Sequence, residues 1–244
     1  MKSSKAKSQS STGATNAGVK KPARRRIFLV DDHPMMLDGM KRLIDGEEDL
    51  MCCGGARTAE EAIQKISETK PDLVVADLTL PNRNGIELIK DLAALKPDLP
   101  VFVYSMHDES FYAERALKAG ARGYLMKEAG GEKMLEGVRN VLAGEISVSP
   151  KVAARILSLF SGPKARNSAS PIEKLTDREF EVFQLLGMGK SSKEIAQQLH
   201  LSHKTVAVHR GHIKEKLGVN TAAELVHQAI RWTESSGKKP EAPE

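Results

Sequence analysis

The sequence predicts an α/β domain with a doubly wound, five-stranded parallel sheet, followed by an all-α domain of four helices. Two observations predict this order. In residues 25–145, five short apolar runs alternate with five segments of helical periodicity, and in residues 172–233 helical segments follow one another without strands. Short apolar strands that alternate with amphipathic helices are typical of a parallel sheet with helices on both faces.

Turn residues bound each predicted element of the first domain. The predicted strands are residues 27–30, 50–53, 73–76, 101–104 and 124–126. The predicted helices are residues 35–44, 59–67, 86–95, 111–119 and 132–142. Residues 146–171 are predicted to be a linker, in which 152–160 has the pattern of a short helix and 161–171 is rich in Gly, Pro and Ser.

The second domain begins with two capping boxes, at residues 176–179 and 191–194, which predict the first turns of its first two helices. The third helix is predicted over residues 204–217, with Gly218 as the cap that ends it, and the fourth over 222–232. The predicted division of the chain is a disordered tail at 1–24, a first domain at 25–145, a linker at 146–171, a second domain at 172–233 and a disordered tail at 234–244.

Charge is distributed unevenly along the 244 residues, whose formal net charge is +5. Residues 27–145 hold 14 basic and 22 acidic residues, while residues 146–232 hold 13 basic and seven acidic residues. A basic segment after an acidic one predicts that only the second domain faces an anionic polymer such as DNA. The first 26 residues hold eight Lys or Arg and no acid. This tail either adds non-specific attraction to nucleic acid or is simply a solvated leader.

The location of the protein is predicted from what the chain can bury. No apolar run approaches the ~20 residues that a membrane-spanning helix needs, so we expect no contact with a membrane. The two cysteines, Cys52 and Cys53, are neighbours, and adjacent cysteines make a poor structural staple. We therefore expect buried thiols in a reducing compartment, which indicates the cytoplasm.

Polar residues follow the predicted strands of the first domain. Asp31 and Asp32 follow the first strand, Asp77 the third, Ser105 the fourth and Lys127 the fifth. Because chemistry in a parallel α/β sheet collects at the carboxyl ends of the strands, we expect these side chains to lie together. Three converging carboxylates repel one another unless a hard cation such as Mg²⁺ binds their oxygens, and Lys127 adds a second positive charge.

This constellation resembles the receiver domain of bacterial response regulators, a flavodoxin/CheY-like fold, over the whole first domain. The stretches that carry the resemblance are VDDHP (30–34), VADLTLPNRNG (75–85), YS (104–105) and GYLMK (123–127). The resemblance implies that Asp77 accepts a phosphoryl group from the phosphohistidine of a sensor histidine kinase. It also implies that Asp31, Asp32, Asp77 and the backbone carbonyl of Thr79 hold Mg²⁺, and that Lys127 pairs with the phosphoryl oxygens.

The resemblance also implies a switch. Ser105 is expected to move toward phosphorylated Asp77, and Tyr124 is expected to turn inward with it, which remodels the face around the fourth and fifth helices. Thr79 and His107 stand where receivers tune the lifetime of the phosphoryl group.

Residues 172–232 resemble the helix-turn-helix of the LuxR/NarL class, whose third helix enters the major groove of DNA. The stretches that carry this resemblance include LTDRE (175–179), KEIA (193–196), LS (201–202), TV (205–206) and KL (216–217). Helical spacing turns Val206, Ile213 and Leu217 inward. The residues expected to contact DNA are Lys204, Thr205, Ala207, Val208, Arg210, Gly211, His212 and Lys216. Many members carry lysine where this chain has Ala207, so fewer direct base contacts, or more weight on DNA shape, are expected.

The sequence thus predicts a DNA-binding regulator of transcription, not an enzyme, in which phosphorylation of Asp77 controls dimerisation and DNA binding. Its expected partners are a sensor histidine kinase, double-stranded DNA and a second copy of the chain, with RNA polymerase as a further candidate. Two alternatives stay open. A phosphorylation-independent regulator would keep the first domain only as a dimerisation scaffold. An aspartyl-phosphate hydrolase would turn over an external substrate, but such enzymes favour an acid where this chain has Thr79.

Two further motifs are weaker. His203, His209 and His212 suggest a metal site, but no cysteine or carboxylate of the third helix completes a compact ligand set. The segment at 187–191 resembles the end of a phosphate-binding loop, yet it follows a helix and has Gln184 in place of the required glycine, so we reject it.

Overall fold

The computed structural model describes residues 23–81, 83–160 and 171–235, in which an α/β domain precedes a helical one. The strands are β1 (Arg25–Val30), β2 (Leu50–Ala56), β3 (Leu73–Ala76), β4 (Val101–Ser105) and β5 (Gly123–Met126). The helices of the first domain are α1 (Pro34–Asp45), α2 (Ala59–Thr69), α3 (Gly85–Leu95), α4 (Glu109–Ala119) and α5 (Gly131–Leu142). The predicted α/β fold is confirmed, with element bounds that differ from the prediction by at most a few residues.

The five strands form one parallel sheet in the order β2-β1-β3-β4-β5. At its centre β1 pairs with β3, and the last pair in register is Val30 with Ala76. Asp31 and Asp77 therefore leave adjacent strands at the same edge, where the N–H of Asp77 donates to the carbonyl of Val30 at 2.9 Å. The topology alone brings these two carboxylates together.

Successive residues of the central strands enter two separate apolar clusters, because side chains alternate across a sheet. Phe28 and Val74 belong to one cluster, while Leu29 and Val75 belong to the other, and all four are at most 1% exposed. Helices cover both faces, so these strands are continuous apolar runs in the sequence rather than alternating ones.

The start of α3 lies directly against the loop that follows β3. The N–H of Gly85 donates to the carbonyl of Leu78 at 2.8 Å, and a Cβ at Gly85 would collide with the carbonyl oxygen of Asp77. Glycine at this position lets the two backbones approach. Asn84 caps the helix by accepting the N–H of Ile86 at 2.7 Å.

The second domain consists of α7 (Asp177–Gly187), α8 (Ser192–Gln198), α9 (His203–Leu217) and α10 (Ala222–Ser235), and α6 (Pro150–Phe160) precedes it. Both predicted capping boxes form, with Thr176 and Ser191 as the capping residues. Gly218 ends α9 in the left-handed region, at φ 67°, as predicted.

The short helix predicted in the linker forms, and the predicted division of the chain needs two corrections. The helix in the linker is α6, whose Val152 is buried, because its apolar side packs on the first domain. The last helix continues to Ser235, past the predicted end of the second domain. Arg24, assigned to the disordered tail, donates to the carbonyls of Asp45 and Glu47 at 2.9 and 2.6 Å. Residues 1–22, residues 161–170 and most of the C-terminal tail lie outside the described residues. Within the described ranges, no helix is long and apolar enough to cross a bilayer.

Candidate functional site

The predicted carboxylate cluster forms around a buried lysine. Nζ of Lys127 lies 2.6 Å from Oδ2 of Asp31 and 2.7 Å from Oδ2 of Asp77. The side chains of all three residues are at most 5% exposed. Burial raises the pKa of Asp31 despite the lysine beside it. Burial also opposes the charge of Lys127, but the two carboxylates outweigh it and raise the lysine pKa. The lysine thus offsets much of the repulsion between two buried acids.

The other oxygen of Asp77 accepts a set of short hydrogen bonds. Oδ1 accepts the N–H of Leu78 at 2.6 Å and the hydroxyl of Ser105 at 2.6 Å, and the N–H of Thr79 lies 3.3 Å away. Donors therefore converge on both oxygens of one carboxylate, at the carboxyl edge of the sheet. This arrangement is suited to hold negative charge as it develops at Asp77.

Asp32 completes the acidic pocket at its solvent side. Its Oδ1 is buried and accepts no hydrogen bond among the described residues, although Nδ1 of exposed His33 lies 2.6 Å from it. Asp31, Asp32 and His33 offer atoms within 4.8 Å of one another for a metal ion. The sequence prediction did not include His33. Mg²⁺ prefers oxygen ligands, so the carboxylates rather than this imidazole fit it.

Ser105 and Tyr124 both point inward, and the sequence prediction had them do so only after phosphorylation. Ser105 already donates to the carboxylate of Asp77 itself, and Tyr124 is 1% exposed with its hydroxyl donating to the carbonyl of His107 at 2.9 Å. Oγ1 of Thr79 lies 3.1 Å from Nε2 of the same histidine. Both inward positions thus exist while Ser105 donates to the carboxylate of Asp77 itself.

The outer face of α9 is open to solvent. Lys204, Ala207, Val208, Gly211 and His212 are exposed, while Thr205, Arg210 and Lys216 are half-buried. Of the three residues predicted to face inward, Val206 and Ile213 are fully buried and Leu217 is partly buried.

Four of the five predicted phosphate contacts are engaged within the second domain. Nδ1 of His212 lies 3.7 Å from Oε1 of Glu179, and Oγ1 of Thr205 lies 2.7 Å from Oγ of Ser202. Arg210 donates to Oγ of Ser192 at 2.6 Å, and Nζ of Lys216 lies 2.6 Å from Oε2 of Glu179. In contrast, the structure shows no ion pair for Lys204 among the described residues. The described histidines of α9 do not assemble into a metal cluster either.

The second domain packs on α3 and α4 of the first through polar contacts that the sequence did not predict. The hydroxyl of Tyr112 donates to Oε1 of Gln184 at 2.8 Å. Asp177 forms two ion pairs: its Oδ2 lies 2.8 Å from Nζ of Lys90, and its Oδ1 lies 3.1 Å from Nη1 of Arg115. Asp177 and Gln184 lie on α7, whose acidic residues would be expected on a solvated face, so sequence pattern alone gave no signal for this contact.

Aromatic rings join the same two surfaces. Phe111 of α4 lies 4.7 Å from Trp232 of α10, and Tyr112 lies 5.4 Å from Phe180 of α7, measured between ring centroids. The guanidinium of Arg115 stands 4.2 Å above the ring of Phe180. Such pairs add stabilisation beyond the apolar area that they bury.

Glu181 of α7 is buried at this contact, beside the cap of α3. It pairs with Arg178 at 2.8 Å and faces the amide of Asn84, whose Nδ2 is buried without a hydrogen-bond partner in the described part of the chain. Burial raises the pKa of Glu181 to about 7, even though Arg178 lowers it.

The turn between α8 and α9 reaches the acidic pocket itself. Nε2 of His200 lies 3.6 Å from Oδ2 of Asp32. His200 adopts φ +53°, in the left-handed region. This contact, too, was not predicted from the sequence.

Comparisons with known proteins agree with both halves of the chain. The model of the response regulator receiver domain matches residues 27–139, and that of the luxR family of bacterial regulatory proteins matches residues 173–229. The transcriptional regulatory protein DegU of Brevibacillus brevis is 32% identical over 219 residues, which are 84% of this chain and 93% of DegU. The chain belongs to the LuxR-type response regulators.

Solved structures place this response regulator among proteins of the same fold. A LuxR-family two-component response regulator from Aurantimonas sp. SI85-9A1 is 34% identical with a TM-score of 0.53, over 57% of this chain and 100% of that one. RcsB of Salmonella enterica serovar Typhimurium, solved on the promoter rprA with phosphomimetic BeF3-, has a TM-score of 0.55 at 22% identity, over 85% of this chain and 98% of RcsB. That likeness shows the fold alone. This response regulator thus joins a receiver domain to a LuxR-type DNA-binding domain, and its relative DegU is a transcriptional regulatory protein.

Proposed function

We propose that Asp77 accepts a phosphoryl group from a sensor histidine kinase, and that this reaction controls dimerisation of the regulator and its binding to DNA. The observation that carries the proposal is the convergence of Lys127 on one oxygen of Asp77 and of Ser105 on the other, at 2.7 and 2.6 Å. A buried acid with donors at both oxygens, at the carboxyl edge of a parallel sheet, is positioned for phosphoryl transfer.

The proposed phosphoryl transfer needs no reactants other than Asp77 and the phosphohistidine of the kinase. An oxygen of Asp77 attacks phosphorus, the P–N bond of the phosphohistidine breaks, and its electron pair returns to the kinase imidazole. Lys127, already paired with Asp77, keeps a positive charge beside the transferred oxygens, and Ser105 supplies a hydroxyl donor to them. The product is an acyl phosphate on Asp77.

The acidic pocket fits the Mg²⁺ that this chemistry needs. Asp31, Asp32 and Asp77 supply hard oxygen ligands, and Oδ1 of Asp32 is buried without a hydrogen-bond donor in the described residues. We assign these carboxylates as ligands, with the carbonyl of Thr79 as the fourth protein oxygen. When bound, Mg²⁺ would neutralise charge on the phosphoryl oxygens.

For DNA binding we propose that α9 enters the major groove. Its exposed Ala207, Val208 and Gly211 would lie at base edges, and Lys204, Thr205, Arg210, His212 and Lys216 near phosphates. RcsB has been solved on promoter DNA in the presence of a phosphomimetic, which supports the link between the two activities here. Dimers that span two half-sites, contact with RNA polymerase and a cytoplasmic location complete the proposal.

Intact mass after incubation with Mg²⁺ and acetyl phosphate tests the phosphoacceptor, with Asp77→Asn as the control. We expect the parent protein to gain one phosphoryl group and Asp77→Asn to gain none. A gain that persists in Asp77→Asn would exclude this site. DNA affinity that is the same with and without phosphodonor would favour the dimerisation scaffold, while steady release of phosphate from added esters would favour the hydrolase.

A further inference from the structure

The DNA-binding domain covers the solvent side of the acidic pocket. The contact is made by His200, in the turn between α8 and α9, with its Nε2 3.6 Å from Oδ2 of Asp32. His200 holds this position with φ +53°, in the left-handed region that residues other than glycine rarely adopt. The side chain of Asp32 is only 10% exposed with the domain in this place.

Docking leaves the outer face of α9, the helix that we propose enters the major groove, exposed to solvent. The outer residues of α9, Ala207, Val208 and Gly211 among them, stay exposed while the domain rests on α3 and α4. The surface that docking covers is therefore on the receiver side: the acidic pocket at Asp32 and the α4 surface at Tyr112, which is fully buried.

We propose that the docked DNA-binding domain and Mg²⁺ compete for Asp32, so that cation binding in the acidic pocket releases the domain through loss of the His200 contact. The proposal rests on the Mg²⁺ site of the proposed function. In this proposal the binding of Mg²⁺ alone changes the arrangement of the two domains, before any phosphoryl group is transferred.

The competition follows from the size of the hydrated ion. Mg²⁺ demands near-ideal octahedral geometry, so the four protein oxygens of the proposed site leave two of its positions to water. With the ion on the buried Oδ1 of Asp32, those waters would lie on the solvent side of the carboxylate, and the charge of the ion would weaken the attraction of Oδ2 for His200. A ring nitrogen 3.6 Å from Oδ2 occupies that side instead. Because coupling between two binding events is reciprocal, whatever weakens docking must tighten Mg²⁺ binding.

Trp232 reports docking directly. It is the only tryptophan of the chain, and its ring lies 4.7 Å from that of Phe111 in the receiver domain. Undocking exposes the indole to water and shifts its emission to longer wavelength. Mg²⁺ is titrated into the full-length protein, with binding followed by calorimetry and docking followed by Trp232 emission.

Three variants test whether Mg²⁺ affinity depends on docking or only on the side chains near the acidic pocket. His200→Ala removes the contact with Asp32, Tyr112→Phe weakens docking away from the pocket, and His203→Ala changes an exposed histidine near the same turn as a matched control. We expect Mg²⁺ to shift the emission of the parent protein. We also expect the dissociation constant for Mg²⁺ to fall at least about fivefold in His200→Ala and in Tyr112→Phe, and to stay unchanged in His203→Ala.

Equal Mg²⁺ affinity in the parent, His200→Ala and Tyr112→Phe, or Mg²⁺ binding without a change in Trp232 emission, would overturn the proposal. Absence of Mg²⁺ binding in every variant would overturn the metal site and this inference with it. Phosphorylation of Asp77 is scored separately by intact mass, so failure of the competition and failure of the phosphoacceptor are distinguishable.

Discussion

Tyr112 of the receiver domain donates its hydroxyl hydrogen to Gln184 of the DNA-binding domain at 2.8 Å, and both residues are buried. The ring of Tyr112 also lies 4.4 Å from that of His107, two residues after Ser105. The N–H of His107 lies 3.4 Å from the hydroxyl that bonds Asp77. A short series of contacts thus connects the phosphoacceptor with the other domain, and any change at Ser105 has a physical route to α7.

Tyr112→Phe tests the last of these contacts, the hydrogen bond between Tyr112 and Gln184. The variant keeps the ring and leaves the buried Oε1 of Gln184 without its donor, so we expect docking to weaken by about 1–2 kcal/mol, roughly a five- to thirtyfold shift toward the undocked form. The shift is measured as a change in Trp232 emission. Tyr104→Phe, which removes a hydroxyl bonded within the receiver domain, is the control and should leave the emission unchanged. The same emission in both variants would show that this hydrogen bond does not stabilise docking.

The raised pKa of buried Glu181 predicts that docking depends on pH. Its pKa is about 7 when buried in the docked form, against an ordinary 4.5 when undocking returns it to solvent. The docked form therefore binds the proton more tightly, so docking is strongest at low pH and weakens as pH rises from about 4.5 to 7, by up to about tenfold per unit. Arg178 and Asp177 of the same helix and Asn84 and Tyr112 of the receiver domain surround the carboxyl group.

The dependence is measured as Trp232 emission between pH 4.5 and 8 in the parent protein and in Glu181→Gln. The amide mimics the protonated acid, so we expect the variant to remain docked across the range. A matched control is Glu194→Gln, an acid at an exposed cap. If Glu181→Gln followed the parent curve, other groups would be responsible for the pH response.

Sequence patterns predicted the receiver fold and the carboxylate cluster because both depend on local signals. Short apolar runs fix the strands, and the strand ends then place Asp31, Asp77 and Lys127 at one edge. The domain contact was not predictable in the same way. Tyr112 and Gln184 are 72 residues apart, and the pairing depends on how two finished surfaces fit together. Neither helical periodicity nor charge distribution contains that information.

Lys127 is predicted to stabilise the receiver domain as well as to act in phosphoryl transfer. Lys127→Met would leave the buried carboxylates of Asp31 and Asp77 without a cation, so we expect a loss of about 3–5 kcal/mol in the free energy of unfolding at neutral pH. Chemical denaturation in the absence of Mg²⁺ measures it. Adding Asp77→Asn to the variant removes one of the unpaired charges and should restore part of the loss.

Lys118→Met is the matched control for that experiment. Lys118 is exposed and pairs with Glu114 on the surface of α4, so its loss should cost less than about 0.5 kcal/mol. Equal stability of the two methionine variants would mean that the pair of buried acids is neutralised in another way, by protonation of Asp31 in particular.

Lys204 is predicted to contact a DNA phosphate, since it is exposed on α9, where Lys216 is paired with Glu179 and Arg210 bonds Ser192. Each phosphate contact releases condensed counterions, so Lys204→Ala should weaken binding to a mixed-sequence duplex and reduce the slope of log K against log salt concentration by about 0.9. Fluorescence anisotropy at several salt concentrations measures the slope. Lys118→Ala, a change on the receiver domain, should leave it unaltered. If Lys204→Ala also left the slope unaltered, α9 would have to meet the backbone through its half-buried cations, and Lys216 would first have to leave Glu179.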